Sequence, residues 1–211
     1  MASPVNENDP RVIRTRQLLQ DAFIALLKEK DFATVTVRDI AERATVNRAT
    51  FYAHFTDKYA LMEFTIVAHF MKVLARRIDA GAALDEAALR KLILAGCEYL
   101  QELYKQCRPS YPSFIQAVEV PVKAKLQAIL AGWLRRRPGT APVGPGTLEY
   151  AFTMLSWSIF GALQRWDNAG RKTPPDQLAA TILPLLMAAV AAVGRENGAE
   201  PSPAPSSADR G

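Results

Sequence analysis

Cysteine and histidine are nearly absent from this chain, two of each in 211 residues, and that scarcity removes several kinds of protein at once. Cys97 and Cys107 stand at a spacing that fits no zinc pattern, and with only His54 and His69 beside them no metal site and no cofactor are expected. So few thiols exclude a disulfide-stapled secreted domain. Both cysteines are expected to be core thiols, with an oxidation-sensing role left open. The chain also lacks a Gly-rich phosphate loop, a Gly-x-Ser-x-Gly elbow and a His-Glu-x-x-His pair. Those absences argue against an enzyme. Its longest apolar stretch, Ala179 to Val193, is interrupted by Thr181 and Pro184, short of the roughly 18 unbroken apolar residues of a membrane span. No apolar run occurs in the first ten residues, so the expectation is a reduced, cytoplasmic protein with no membrane partner. Sustained strand-like alternation is missing too, which excludes an all-β fold.

What remains is helical. The chain is 49% hydrophobic and 22% charged, with Lys and Arg at 26 against 21 Asp and Glu. The segment from Pro10 to Arg77 holds 12 of those basic residues against 7 acidic ones and so carries the whole excess of +5. Anionic partners are expected at that end. Val12, Leu18, Leu19, Ala22, Phe23, Leu26 and Leu27 predict a first amphipathic helix ending near Lys30. Short helices follow over Val37–Ala44 and Arg48–Phe55, with Thr36 and Asp39 forming a capping-box pair. A long fourth helix is expected over Lys58–Ile78, capped by Thr56 or Asp57, and a fifth from Asp85 to about Gln106. A short helix over Ser113–Glu119, another opened by Pro121 and running to Arg137, an eighth over Thr147–Asn168 and a ninth from Pro175 to Val193 complete the set. Pro184 predicts a kink in the last. Pro138–Gly146 reads as an exposed loop, and the stretch 195–211 as a disordered tail.

The segment Thr36-Val37-Arg38-Asp39-Ile40-Ala41-Glu42-Arg43-Ala44-Thr45-Val46-Asn47-Arg48-Ala49-Thr50-Phe51-Tyr52-Ala53-His54-Phe55 is the informative one. Ile40, Ala41, Ala44, Val46, Phe51 and Phe55 supply an internal face for two short helices crossing at a tight turn. Ala41 is small where the helices approach, and Val46 plugs the turn. Such helix-turn-helix patterning puts the second helix in a major groove. Arg48 suits a bidentate contact to guanine, and Thr50 offers a methyl to thymine or a hydroxyl to a base. Tyr52 and His54 stand where phosphate contacts are expected.

This segment, with Asp57-Lys58 and Leu61 after it, resembles the DNA-binding domain of the TetR/AcrR family of bacterial regulators, over about Arg11 to Phe70. The resemblance implies that Thr36 and Lys58 touch backbone phosphates with Tyr52 and His54. It also implies that Arg38 points toward a base or phosphate, and that Asn47, Arg48, Ala49 and Thr50 read the sequence. Tyr52 and Lys58 match the family most closely. Thr45 departs from it, standing where glycine is common, so the turn is expected to carry about 1 kcal/mol of strain.

The resemblance further implies an all-α architecture of two parts. Residues 11–57, extending into the fourth helix to about 70, form a three-helix DNA-binding domain, and residues 58–194 form a larger helical ligand-binding and dimerisation domain. The implied function is a repressor that binds a palindromic operator in double-stranded DNA as a homodimer and lets go when an unidentified small molecule occupies the larger domain. Tyr104, Phe114, Trp133 and Trp157 are the candidate lining of a cavity between facing helices, although aromatic content alone does not separate lining from core. The dimer is expected on the last two helices, with Phe152, Leu155, Ile159, Leu163 and Trp166 on one and Leu178, Ile182, Leu185, Ala189 and Val193 on the other. Arg135-Arg136-Arg137 is read as a basic helix terminus favoured by the helix dipole.

Overall fold

A computed structural model describes residues 9–106, 111–136 and 144–193. Cys107, most of the expected loop, the expected tail, and the side chains of Tyr104 and Phe114 lie outside the described residues. Within them the chain is helical throughout: α1 (Pro10–Glu29), a 3-10 turn (Phe32–Thr34), α2 (Val37–Arg43), α3 (Arg48–His54), α4 (Lys58–Ala75), α5 (Glu86–Gln106), α6 (Tyr111–Arg136), α7 (Pro145–Asn168) and α8 (Pro175–Val193).

Side-chain caps set most of the boundaries. Asp9 accepts from the Arg11 amide at 2.8 Å, Asp57 from Ala60 at 2.8 Å and Asp85 from Ala88 at 2.7 Å. Each satisfies an amide with no intrahelical partner, a contribution of about 1 kcal/mol. The expected capping box forms: the Asp39 amide donates to Thr36 Oγ1 at 3.1 Å and the Thr36 amide to Asp39 Oδ2 at 2.8 Å. Between α2 and α3 the Val46 amide donates to the Ala41 carbonyl at 3.0 Å and the Thr45 amide to Glu42 at 3.2 Å. This pair of bonds is a Schellman closure. It places Thr45 at φ 57°, in the region where an L-residue other than glycine is strained.

One sequence expectation fails at a proline. Pro121 does not open a helix; α6 runs through it, merging two expected helices into one. At Pro184, α8 continues without a break to Val193. Pro184 and Ala180 are both on the exposed side, so the Ala180 carbonyl that loses its donor faces water, and the penalty of the missing bond falls accordingly.

The buried residues form one continuous cluster from Leu19 to Val190. α1, α2 and α3 pack on one another, α1 also meets α4, and α4 packs on α5 and α6. α6–α7, α5–α8 and α7–α8 close the larger bundle. Gly96 marks the closest approach of α5 and α7, where an added Cβ would sit 2.4 Å from Leu163 Cδ1. Cys97 is buried, and burial pushes its thiol up to about 12, which leaves no appreciable thiolate at neutral pH. Over Pro175–Ala192, α8 is long and apolar enough to cross a membrane by length and composition, a case the interrupted run had not led us to expect. It lies along α5 and α7, with Ala179, Leu183, Leu186 and Val190 buried.

Thr45 is exposed and has no packing to lose. Thr45→Gly is expected to stabilise the protein by up to about 1 kcal/mol, the left-handed penalty less the extra chain entropy of glycine. A raised urea midpoint with an unchanged slope checks this; a lowered midpoint would contradict the strain.

Candidate nucleic-acid interface

Helix α3 is seven residues long and could not persist alone. Phe51 holds it down from below, fully buried, with Phe55 6.0 Å away between ring centroids, and Ile40, Ala41 and Ala44 of α2 are buried beside it. Asn47 caps it, its Oδ1 accepting from the Thr50 amide at 2.6 Å and from the Thr50 hydroxyl at 2.9 Å. The cap leaves the Asn47 amide nitrogen unengaged and the Thr50 methyl in place, but the Thr50 hydroxyl proton is committed.

The expected site residues therefore divide. Asn47, Arg48 and Ala49 are exposed at the start of α3, and Arg48 has no hydrogen-bonding or ion-pair partner among the described residues. Tyr52 is half exposed, one edge of its ring against Phe51. Arg38 stands out in solvent with Nε 2.7 Å from Glu42. An exposed pair of this kind contributes under about 1 kcal/mol and exchanges readily for another anion. Thr36 is exposed, yet its hydroxyl and amide are both engaged with Asp39.

Two residues do not stand as the sequence implied. Lys58 is turned inward. Its ammonium donates to the Phe32, Ala33 and Val35 carbonyls at 3.0, 3.1 and 2.8 Å and lies 4.6 Å from the Phe32 ring centroid. All three of its protons are used, and burial holds its pKa below the ordinary lysine value, against the opposing charge of Asp31. His54 is half-buried with Nδ1 enclosed and without a partner among the described residues. Burial, and then the charge of Arg16, hold its pKa below the usual imidazole value. The ring is neutral at pH 7, so it has no full charge to give a phosphate.

The contacts that aim α2 were missed from sequence. Arg43 grips Glu29 through two bonds of 2.8 and 2.6 Å, and Lys30 meets Asp39 Oδ2 at 2.7 Å. Both tie α2 to the end of α1. Nothing in the linear pattern pairs them, because the partners are nine and fourteen positions apart.

A cavity of about 40 Å³ lies among the described residues of the larger bundle, lined by Phe70, Leu92, Tyr99, Leu126, Phe160 and Leu163, with Gln164 and Asp167 as polar groups. Asp167 is paired with Arg171 Nε at 3.3 Å. Trp133 is buried against a separate open groove between α4 and α6. Trp157 is exposed on α7 beneath the Lys123 ammonium, 4.3 Å from its ring centroid. Neither lines the cavity. An aromatic's register on its helix decides between inside and outside, and a count of aromatics carries no register.

A capped α2–turn–α3 pair presenting an exposed arginine and tyrosine, braced by α1 and α4, defines a helix-turn-helix protein of the DNA-binding class. Residues 19–63 match the model described as bacterial regulatory proteins, tetR family, a stretch that takes in α2, the turn and α3. Over 59 residues it is 46% identical to an uncharacterized HTH-type transcriptional regulator, YxbF, of Bacillus subtilis (strain 168). The match spans 28% of this chain and only 16% of that relative. A TetR-family transcriptional regulator from Streptomyces coelicolor shares the fold with a TM-score of 0.57 at 19% identity, over 85% of this chain and 99% of the other. A TetR-family regulator from Streptomyces coelicolor A3 does so with 0.59 at 18% identity, over 87% and 98%.

Asp39 lends itself to a pH test. The Lys30 ammonium first, and then the Thr36 amide and hydroxyl, hold its carboxyl at about 2, below its ordinary 3.8. A depressed carboxyl pKa stabilises the fold above the unfolded value and ceases to do so as pH falls through the folded one. Asp39→Asn should therefore lower the urea midpoint at neutral pH, and the gap from the unchanged protein should close between about pH 4 and pH 2. A gap constant over that window would show that the charge is not the source.

Proposed function

We propose that the protein is a sequence-specific DNA-binding repressor of transcription that acts as a homodimer on a palindromic operator and releases it when a small molecule occupies the larger bundle. The observation that carries the reading is the start of α3, where the Asn47 amide, the Arg48 guanidinium and the Ala49 methyl stand exposed and unengaged beside Tyr52. Arg48 reads a guanine edge, Asn47, Ala49 and Thr50 contact the neighbouring bases, and Tyr52 donates to a phosphate. Thr36 and Arg38 lie at the flank of the same face; Arg38 reaches DNA by exchanging Glu42 for a phosphate. His54 supports the site from inside as a neutral ring.

Assembly is assigned to α7 and α8, keeping Leu185 of the residues their apolar content implied but using another face of α7. Leu155, Ile159, Leu163 and Trp166 are buried in the chain's own core. Tyr150, Met154, Trp157 and Leu185 are instead 74, 66, 56 and 70% exposed. On α7 the first three follow one another at intervals of four and three, a single stripe along the helix. Apolar side chains in such a row on one face are the signature of a surface covered in the assembled state. A two-fold pairing of α7 and α8 with their mates covers it.

Release follows from the placement of α4. Its first half packs in the DNA-binding part, while Phe70 lines the cavity. A cavity of about 40 Å³ holds little more than a water, so an apolar ligand enters by parting the helices and shifts α4. Half-sites lie about 34–36 Å apart, and a few ångströms of change in the spacing of two heads prevents both from docking. The ligand must favour the incompetent spacing, by about 5.5 kcal/mol to reverse a 99:1 population.

Two measurements test this reading. Selection from a randomised duplex library should return a palindrome, and Arg48→Ala should lose about 1–3 kcal/mol with relaxed preference at one base position per half-site. No enriched sequence, or an unaltered preference in Arg48→Ala, would remove α3 as the reading element. In sedimentation, Met154→Arg with Trp157→Glu should yield a folded monomer. Leu155→Arg with Ile159→Glu should instead unfold the chain, since both residues are core.

A further inference from the structure

We infer that Lys58 is a positioning residue rather than a phosphate contact: its ammonium joins the first turn of α4 to the α1–α2 connector and thereby sets the angle of α2 and α3. The inference rests on the reading of α2–α3 as the DNA-binding element. Its basis is the convergence of three main-chain carbonyls, Phe32, Ala33 and Val35, on one ammonium at 2.8 to 3.1 Å. An ammonium has three donors, and all three are placed. The carbonyls lie in and just after the 3-10 turn, Phe32 also accepting from the Val35 amide, and their dipoles point at the cation as a helix C-terminus does. The Phe32 ring covers another side. Turning Lys58 out to a phosphate leaves the Ala33 and Val35 carbonyls without a donor among the described residues, while Phe32 keeps the Val35 amide, a loss that a screened surface contact does not offset.

Val35, the innermost of the three, is itself buried and immediately precedes Thr36, the cap of α2. Between α2 and α3 the Val46–Ala41 bond holds the turn. A short path therefore runs from the N-terminus of α4 through Lys58 and Val35 to the Thr36 cap, α2, the turn and α3. Every link in it is a hydrogen bond or a step along the peptide chain. Movement of α4 reaches the reading helix through this clamp.

The test uses the full chain with Lys58→Met, which keeps the stem, and Lys58→Arg, which keeps the charge but offers a planar fork. The probes are the duplex the unchanged protein selects from a random library and a scrambled duplex of the same composition. Positioning predicts that both variants bind the selected duplex roughly tenfold or more weakly, the scale of one charge-assisted hydrogen bond. It also predicts that binding to the scrambled duplex and the salt dependence of binding stay unchanged. Amide exchange at Thr34, Val35 and Thr36 should be faster in the free Lys58→Met protein, with the α5 and α7 amides unaffected.

A phosphate contact predicts the opposite. Both duplexes weaken alike, the log–log salt slope falls by about 0.9 per protomer in Lys58→Met, and Lys58→Arg behaves as the unchanged chain. That pattern overturns the proposal, as does unchanged affinity in both variants. If Lys58→Met fails to fold, Lys58→Arg decides alone. If the unchanged protein enriches no duplex, the DNA-binding reading fails separately. Connector exchange then decides the clamp: faster in the variant supports it, unchanged overturns it.

Discussion

One helix has to be apolar for two different neighbours, and the rest of the molecule follows from that constraint. α4 buries Leu61, Met62, Ile66, Phe70, Val73 and Leu74 along its length. In its early turns Phe64 lies beneath the Arg16 guanidinium of α1, while farther on Phe70 packs against Tyr99 of α5 and Met71 and Leu74 line a groove with Ile129 of α6. A helix buried against only one layer shows a stripe; α4 must serve a second core after the first ends. Its far end is fixed to α5 by Arg76, which reaches Glu98 at 3.2 Å and Glu102 at 2.6 Å, and by Arg77, which reaches Glu98 at 2.6 Å. Its near end is fixed to the connector by Lys58. The small helices between these anchors have little freedom of their own.

The ion pairs around this arrangement act through direction more than through strength. Most are half exposed, worth under about 1 kcal/mol each. Arg43–Glu29 is bidentate and so fixes an angle as well as a distance. Lys30 bears on Asp39, which is already bonded to the Thr36 amide and hydroxyl. One carboxylate thus closes a cap and receives a brace from the preceding helix. His69, half-buried, lies 3.2 Å from Glu102 without the alignment of a hydrogen bond, and burial holds it below its usual pKa. It packs as a neutral ring against Tyr99.

Local chemistry was the legible part of this sequence. The Thr36–Asp39 box, a cap at Thr56 or Asp57 and the internal face of Ile40, Ala41, Ala44, Phe51 and Phe55 all follow from short-range spacing. The left-handed Thr45 was legible too, through a departure from a familiar pattern. What escaped was whatever depends on the third dimension. Leu155 and Ile159 carry the same apolar character as Met154 and Trp157, yet the first pair is internal and the second exposed. Met154 and Leu155 are one residue apart on α7, about 100° of helix, and Trp157 and Ile159 two. Lys58 escaped for the same reason, since its three acceptors are main-chain atoms more than twenty residues away. Pro121 misled because it was weighed as a helix start, whereas α6 runs through it with Val122, Leu126 and Leu130 buried beyond.

The turn at Thr45 carries a consequence for how such turns change over time. Its closure resides in two main-chain hydrogen bonds, Val46 to Ala41 and Thr45 to Glu42, and its side chain touches nothing that those bonds require. Asparagine or aspartate there meets a smaller backbone penalty than threonine, and proline is shut out because the turn needs the residue-45 amide and a positive φ. Position 45 can therefore vary among residues that keep that amide, at a small standing loss of stability against glycine. A motif search keyed to glycine would pass over chains whose turn is the same shape. The shape is inherited through the peptide backbone, and the letter at its apex is the least informative one in the motif.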